Sequence, residues 1–413
     1  MNDKELFPRV GDRRTAPVVT GLGRARWATR IQFMALGVLA GTWGAHIPSV
    51  KAHYALSEAT LSLVLLAAAV GAVSSLFFAG RIVGRLGART SAGFAALLMC
   101  LMLGLVLEHS SLAALLPAML VLGAAMSVFD VAINTEGSVL ESLSGRAVMS
   151  NLHGMFSVGG MTGAAVVAAL LSVGVAARAQ LMGVCVVVAV VAVIAARGML
   201  AAHPGQQNEG DEEKAHFAWP RGLLLVIGLL IFAGMTAEGV MADWCVLYLK
   251  QDVGLPQAQA AIGYAVFSAA MAASRFAGDG LRNRFSERML LRSGATVAAV
   301  AMAVVLLSAN AYVAFIGFAL VGIGLAPVAP ILFNAATRVP GVSRAAAIAS
   351  VTSIGYSGFM IGPPLIGSIA SASSLTVALA VVVLAAGLLA FGARYVPQAP
   401  ISAESQRPRP PAA

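Results

Sequence analysis

Charge is what this chain lacks most. Only 11% of its 413 residues are Asp, Glu, Lys or Arg, while 59% are hydrophobic; soluble domains carry about 25% charged and about 45–50% apolar residues. At a mean hydropathy of +0.86 there is too little polar surface to wet a globule, which excludes a soluble enzyme and a disordered scaffold. Cysteine is nearly missing as well. Cys100, Cys185 and Cys245 stand apart in apolar runs, so there is no disulfide framework and no metal-ligand spacing. Walker lysine, H-E-x-x-H and nucleophile-elbow motifs are all absent. No metal, no cofactor and no enzymatic activity are therefore expected. The longest internal polar stretch, 201–221, is too short for a nucleotide-binding domain, which excludes ATP-driven work by this chain alone. A net charge of +9 does not indicate nucleic acid, because the basic residues flank apolar segments and form no patch.

What the chain has is hydrocarbon-length helices. A membrane span needs about 20 largely apolar residues, and twelve stretches qualify: 28–49, 59–81, 90–108, 111–134, 149–174, 179–200, 222–248, 258–281, 289–309, 311–335, 345–371 and 374–396. Loops rich in Lys and Arg stay cytoplasmic. With the amino terminus inside, only Lys51, Arg178 and Lys250 of the 27 basic residues fall outside, and Arg275 lies within a span. Both termini are thus expected in the cytoplasm and the span number is even. The expected organisation is a tail at 1–27, a six-helix bundle at 28–200, a linker at 201–221, a second six-helix bundle at 222–396 and a tail at 397–413. The first apolar stretch is too long for a signal peptide and is read as a retained helix.

The halves repeat at a nearly constant offset. Ser75-Leu76-Phe77 matches Ser274-Arg275-Phe276, and Arg85, Leu86 and Arg89 match Arg284, Phe285 and Arg288, both 199 residues on. Asn134 matches Asn334, and Ala147-Val148-Met149-Ser150 matches Ala347-Ile348-Ala349-Ser350, at an offset of 200. Parallel six-helix repeats are one plan of secondary transporters, with the substrate site between the repeats near mid-membrane. The fold class expected is an all-α membrane protein of twelve transmembrane helices in two pseudo-symmetric six-helix bundles.

At this point the residues resemble a family, the major facilitator superfamily. Gly80-Arg81-Ile82-Val83-Gly84-Arg85-Leu86-Gly87-Ala88-Arg89 is similar to its G-x-x-x-D-R-x-G-R loop, with Gly84 where an Asp is usual. Gly278-Asp279-Gly280-Leu281-Arg282-Asn283-Arg284-Phe285 echoes it in the second half, and Gly358 to Gly367 resembles the eleventh-helix pattern. Two family features are missing: the Arg often found in the fourth helix, and the antiporter-type Gly-Pro signature in the fifth. Asp130-Val131-Ala132-Ile133-Asn134 and Glu238 to Trp244 look like strings of bacterial permeases distantly related to fucose–proton symporters. The resemblance implies alternating access in the inner membrane, with Gly80, Arg85, Arg89, Arg275, Asp279 and Arg284 as a gating latch.

Ionisable groups at depth are costly and become functional candidates. Asp130 and Asn134 share one face of helix four, placed in its inner third, with His153 nearby in helix five. Glu238 is placed in the outer third of helix seven, and Asp130 and Glu238 are the candidate proton carriers; permanently charged packing residues are the plain alternative. Trp244 is read at the outer rim, either as an interfacial anchor or as a site residue. Glu136 and Glu141 are read as solvated or as latch groups. Tyr264, Asn334 and Tyr356, with Ser350, Ser353 and Ser357, are possible hydrogen-bond donors to a sugar or polyol. Carboxylates outnumber cations on this face, so the expected partner is a small neutral or cationic solute, taken up with a proton by a monomer in the bilayer. Efflux of a drug or toxic metabolite by the same fold is the alternative, and a receptor built on a transporter body is a more distant one.

Overall fold

The computed structural model describes residues 21–201 and 220–397. The expected tails and linker fall mostly outside the described residues. The first half comprises α1 (Leu22–His53), α2 (Glu58–Leu86), α3 (Ala88–Gly104), α4 (Leu112–Ser144), α5 (Met149–Ser172) and α6 (Ala177–Ala196). The second comprises α7 (Gly222–Gln251), α8 (Gln257–Arg282), α9 (Glu287–Ser308), α10 (Ala311–Leu325), α11 (Val328–Ala336), α12 (Arg344–Ala372), α13 (Leu375–Ala378) and α14 (Ala380–Gly392). The tenth span is α10 followed by α11, broken where Pro327 withholds a backbone N–H. The twelfth is α13 followed by α14. Counting each of these as one span, 10 helices are long and apolar enough to cross a membrane. The 17-residue α3 and the Ser-, Gly- and Pro-rich α12 complete twelve.

Local sequence sets the ends of the helices. Ser57, Ser111, Ser286, Ser343 and Ser374 each accept a backbone N–H as N-caps, and Asn310 accepts two. Gly145 ends α4 with φ at 62°, a left-handed turn that a side chain would resist. Two helices run further than hydropathy suggests. α1 begins at Leu22 because its arginines extend past hydrocarbon without breaking the helix. α4 continues to Ser144 because its two glutamates find partners. Glu136 is fully buried and accepts the Leu200 N–H at 2.7 Å. Glu141 accepts from Val148 N at 2.8 Å and Met149 N at 3.2 Å, serving the start of α5. Neither is a solvated group.

Packing repeats between the halves. α1 packs on α5 as α7 packs on α12; α2 packs on α4 as α8 packs on α10; and α3 packs on α6 as α9 packs on α14. Small residues permit the closest approaches. A Cβ at Gly159 or Gly163 of α5 would run into the α1 backbone at Met34 and Val38. Between halves, α5 lies along α8, α2 meets α12, and α1 touches α7 and α8.

Candidate functional site

Arg275 ties the halves together at the centre. Its Nη1 donates to Ser157 Oγ on α5 at 2.7 Å and to the His153 carbonyl at 3.4 Å, while Nη2 donates to Glu238 Oε1 on α7 at 3.2 Å. The arginine side chain is 12% exposed and the glutamate 29%. Arg275 is therefore not turned along α8 towards Asp279, as the latch reading expects; the side chain of Asp279 lies outside the described residues. The direction has a simple cause. Long helical side chains lean towards the amino end of their helix, which here carries the guanidinium away from residue 279 and into the seam with α5 and α7.

His153 and Tyr264 lie near this pair, and Asp130, Asn134 and Tyr356 form a polar group of their own. The Asn134 amide donates to Asp130 Oδ1 at 2.9 Å and also to the Asp130 carbonyl at 2.9 Å. Because α4 extends to Ser144, Asp130 sits near the middle of its helix and not in an inner third. Glu238 likewise lies near the middle of α7. Tyr356 of α12 feels the Asp130 charge from the other half, and its ring tilts against Phe359 with centroids 6.1 Å apart. His153 meets Phe33 edge-on at 5.3 Å. Tyr264 is buried beside Ser268, within electrostatic range of Glu238 and Asp243. Among the described residues no cluster of three or more His, Cys, Asp or Glu could hold a metal ion.

Other residues fall elsewhere. Trp244 is fully buried, so it is no interfacial anchor: the α7 turn that carries it faces protein. Asn334 is exposed and donates to Glu287 Oε1 at 3.0 Å, beside the Arg338–Glu287 ion pair on the face that bears the chain termini. A position repeated at an offset of 200 therefore makes a different contact in each half, Asn134 with Asp130 and Asn334 with Glu287. Ser353 and Ser357 bond back to their own helix at Ala349 and Ile354. Gly80, Arg85, Arg89 and Arg284 lie on that same terminal face. Arg81 and Arg85 line a groove of about 380 Å³ with Phe78 and Ile82, and neither arginine has an acidic partner among the described residues.

The face opposite the termini is closed by groups that sequence reasoning did not single out. Gln257 of α8 donates to Ser49 Oγ at 2.7 Å and to the Ala45 carbonyl at 3.0 Å, both on α1. Gln251 of α7 reaches Glu58 of α2 at 3.4 Å. Within the halves, Lys51 holds Glu58 at 2.8 Å and Lys250 holds Gln257 at 3.1 Å. Lys51 and Glu58 recur as Lys250 and Gln257 at the 199-residue offset, a signal legible in the repeat. Ser157 carries no such signal, since one serine in an apolar helix reads as a packing residue.

The geometry is a polar centre between two repeated bundles, and the comparisons agree with it. The model of the Major Facilitator Superfamily matches residues 29–357 and 246–413. The chain belongs to this superfamily. An uncharacterized MFS-type transporter of Yersinia pestis is 37% identical over 369 residues, covering 89% of this chain and 95% of its own. Membrane protein MosC of Rhizobium meliloti is 30% identical over 362 residues, covering 88% and 87%. Among solved structures, a mutant of the nucleoside transporter NupG superposes with a TM-score of 0.73 at 13% identity, covering 90% of this chain and 99% of that one. As a facilitator-superfamily protein the chain is a multi-pass membrane transporter and not an enzyme, and its twelve helices form the two six-helix bundles of that fold.

Proposed function

We propose that this facilitator moves a small neutral or cationic, sugar- or polyol-like solute across the inner membrane by alternating access, coupled to a proton, with both termini cytoplasmic. One observation carries the reading: Arg275, the arginine that the described residues place at the centre, is already neutralised by Glu238. Among the described residues the Asp130 carboxylate has the Asn134 amide as its one partner, so the centre keeps an excess of carboxylate. An anionic solute would meet repulsion there, whereas hydroxyls and ammonium groups find acceptors. Another structural neighbour is a mutant of the E. coli fucose:proton symporter FucP, with a TM-score of 0.64 and 16% identity, in keeping with a polyhydroxylated solute and a proton. The ties at the face away from the termini support a carrier closed on that side, which this reading places outside.

The test is uptake into proteoliposomes, after a thermal-shift screen of sugars, polyols and nucleosides identifies a solute. One pH unit is worth about 1.4 kcal/mol, so a one-proton symporter should concentrate a neutral solute about tenfold. Glu238→Gln or Asp130→Asn should reduce that ratio to about one while solute exchange persists, for whichever residue carries the proton. Normal accumulation by both variants would remove the carrier assignment, and binding of anions alone would remove the solute class.

A further inference from the structure

A second polar site lies between α7 and α12, away from the Arg275 bond. A small void there is lined by Thr236, Gly239, Asp243, Trp244, Gly358 and Gly362, with about 10 Å³ open to water centres, which is room for about one water oxygen. Two buried groups in its wall have no partner among the described residues. The Thr236 hydroxyl and the Trp244 indole N–H are both shut from solvent with no hydrogen bond, in residues 4% and 0% exposed. Asp243 adds a carboxylate with no hydrogen bond or ion pair among the described residues. Burying such groups unpaired is costly, and all three lie on one face of α7 at positions that a helix brings together.

Glycine keeps the space open. A Cβ at Gly358 would come within 2.7 Å of Thr236 Oγ1, and one at Gly239 within 2.9 Å of the Phe359 ring. The seam thus presents one N–H donor, one hydroxyl and one carboxylate acceptor around a volume the size of an oxygen atom. We propose that this seam is a binding site for a single hydroxyl group, which accepts from the Trp244 indole and donates to Asp243, with Thr236 completing its shell. The guest is either one bound water or a hydroxyl of the transported solute. The second source rests on the function proposed above and the first does not.

The indole N–H stretch reports the bond directly. Trp27, Trp43 and Trp219 are replaced by Phe in the full-length protein, leaving Trp244 as the sole indole, and the vibrational band is read in nanodiscs. A hydrogen-bonded band without added solute assigns the guest as water. A free band that becomes bonded with L-fucose or uridine assigns a solute hydroxyl. Gly358→Ala, which sets a methyl against Thr236 Oγ1, should return the band to the free position, and Asp243→Asn should weaken the bond while leaving the protein folded. A free band under every condition overturns the site, as does a bonded band that Gly358→Ala leaves unmoved. Because the readout needs no transport, it fails independently of any uptake result.

Discussion

Arg275 shows how one side chain can belong to both halves. It satisfies Glu238 within its own bundle and Ser157 across the seam, so removing it strands a carboxylate and weakens the central contact together. Hydrogen bonds to charged groups contribute about 1.5–3 kcal/mol, and partial exposure of this pair favours the lower end. Arg275→Gln should therefore unfold at a lower temperature than the double variant Arg275→Gln, Glu238→Gln, where no charge is left alone. Thermal unfolding of the purified variants checks the order, and an equal loss in both would mean the pair is not coupled. Trp244 teaches the complementary point. Its position near the end of an apolar helix is legible as Trp at a boundary, but its burial depends on α12, which no local pattern announces.

Among the elements, α1, α2, α7, α8 and α12 close the face away from the termini. Gly367 on α12 leaves no space for a side chain against Ser62 and the Glu58 carbonyl of α2. Gly367→Val should wedge these helices apart and bias the carrier towards opening on that side. Gln257→Ala should act in the same direction by removing the two bonds to α1; a loss of about 1.4 kcal/mol is a tenfold change in the closed-to-open ratio. Spin-label distances between the outer ends of α2 and α12 would show the shift, and unchanged distances in both variants would reject the gate. Most element boundaries were legible within a few residues, since apolar length and capping residues act locally. The extension of α4 to Ser144 was not, because it depends on Glu136 meeting the Leu200 N–H just beyond α6.

For the whole molecule, the proposed function pairs closure at one face with access from the other. Ser353 is exposed on the terminal half of α12, while Cys100, Cys185 and Cys245 are all buried. Ser353→Cys should therefore react with a membrane-impermeant maleimide in inside-out vesicles and stay unlabelled in right-side-out ones, against a low background. Labelling from the periplasmic side would reverse the proposed orientation.

The amino-acid sequence by itself determined the solvent, the number of spans, the duplication and the family, because hydrocarbon imposes length, apolarity and charge placement on each helix separately. It also supplied the ionisable residues at depth, since there are so few. Only the tertiary structure decided what those residues touch. A helix that is apolar on every side carries no phase to say which face meets its neighbours, so the turn of Arg275 towards Glu238, the burial of Trp244 and the void beside Asp243 follow from how twelve such helices pack, and not from any one of them.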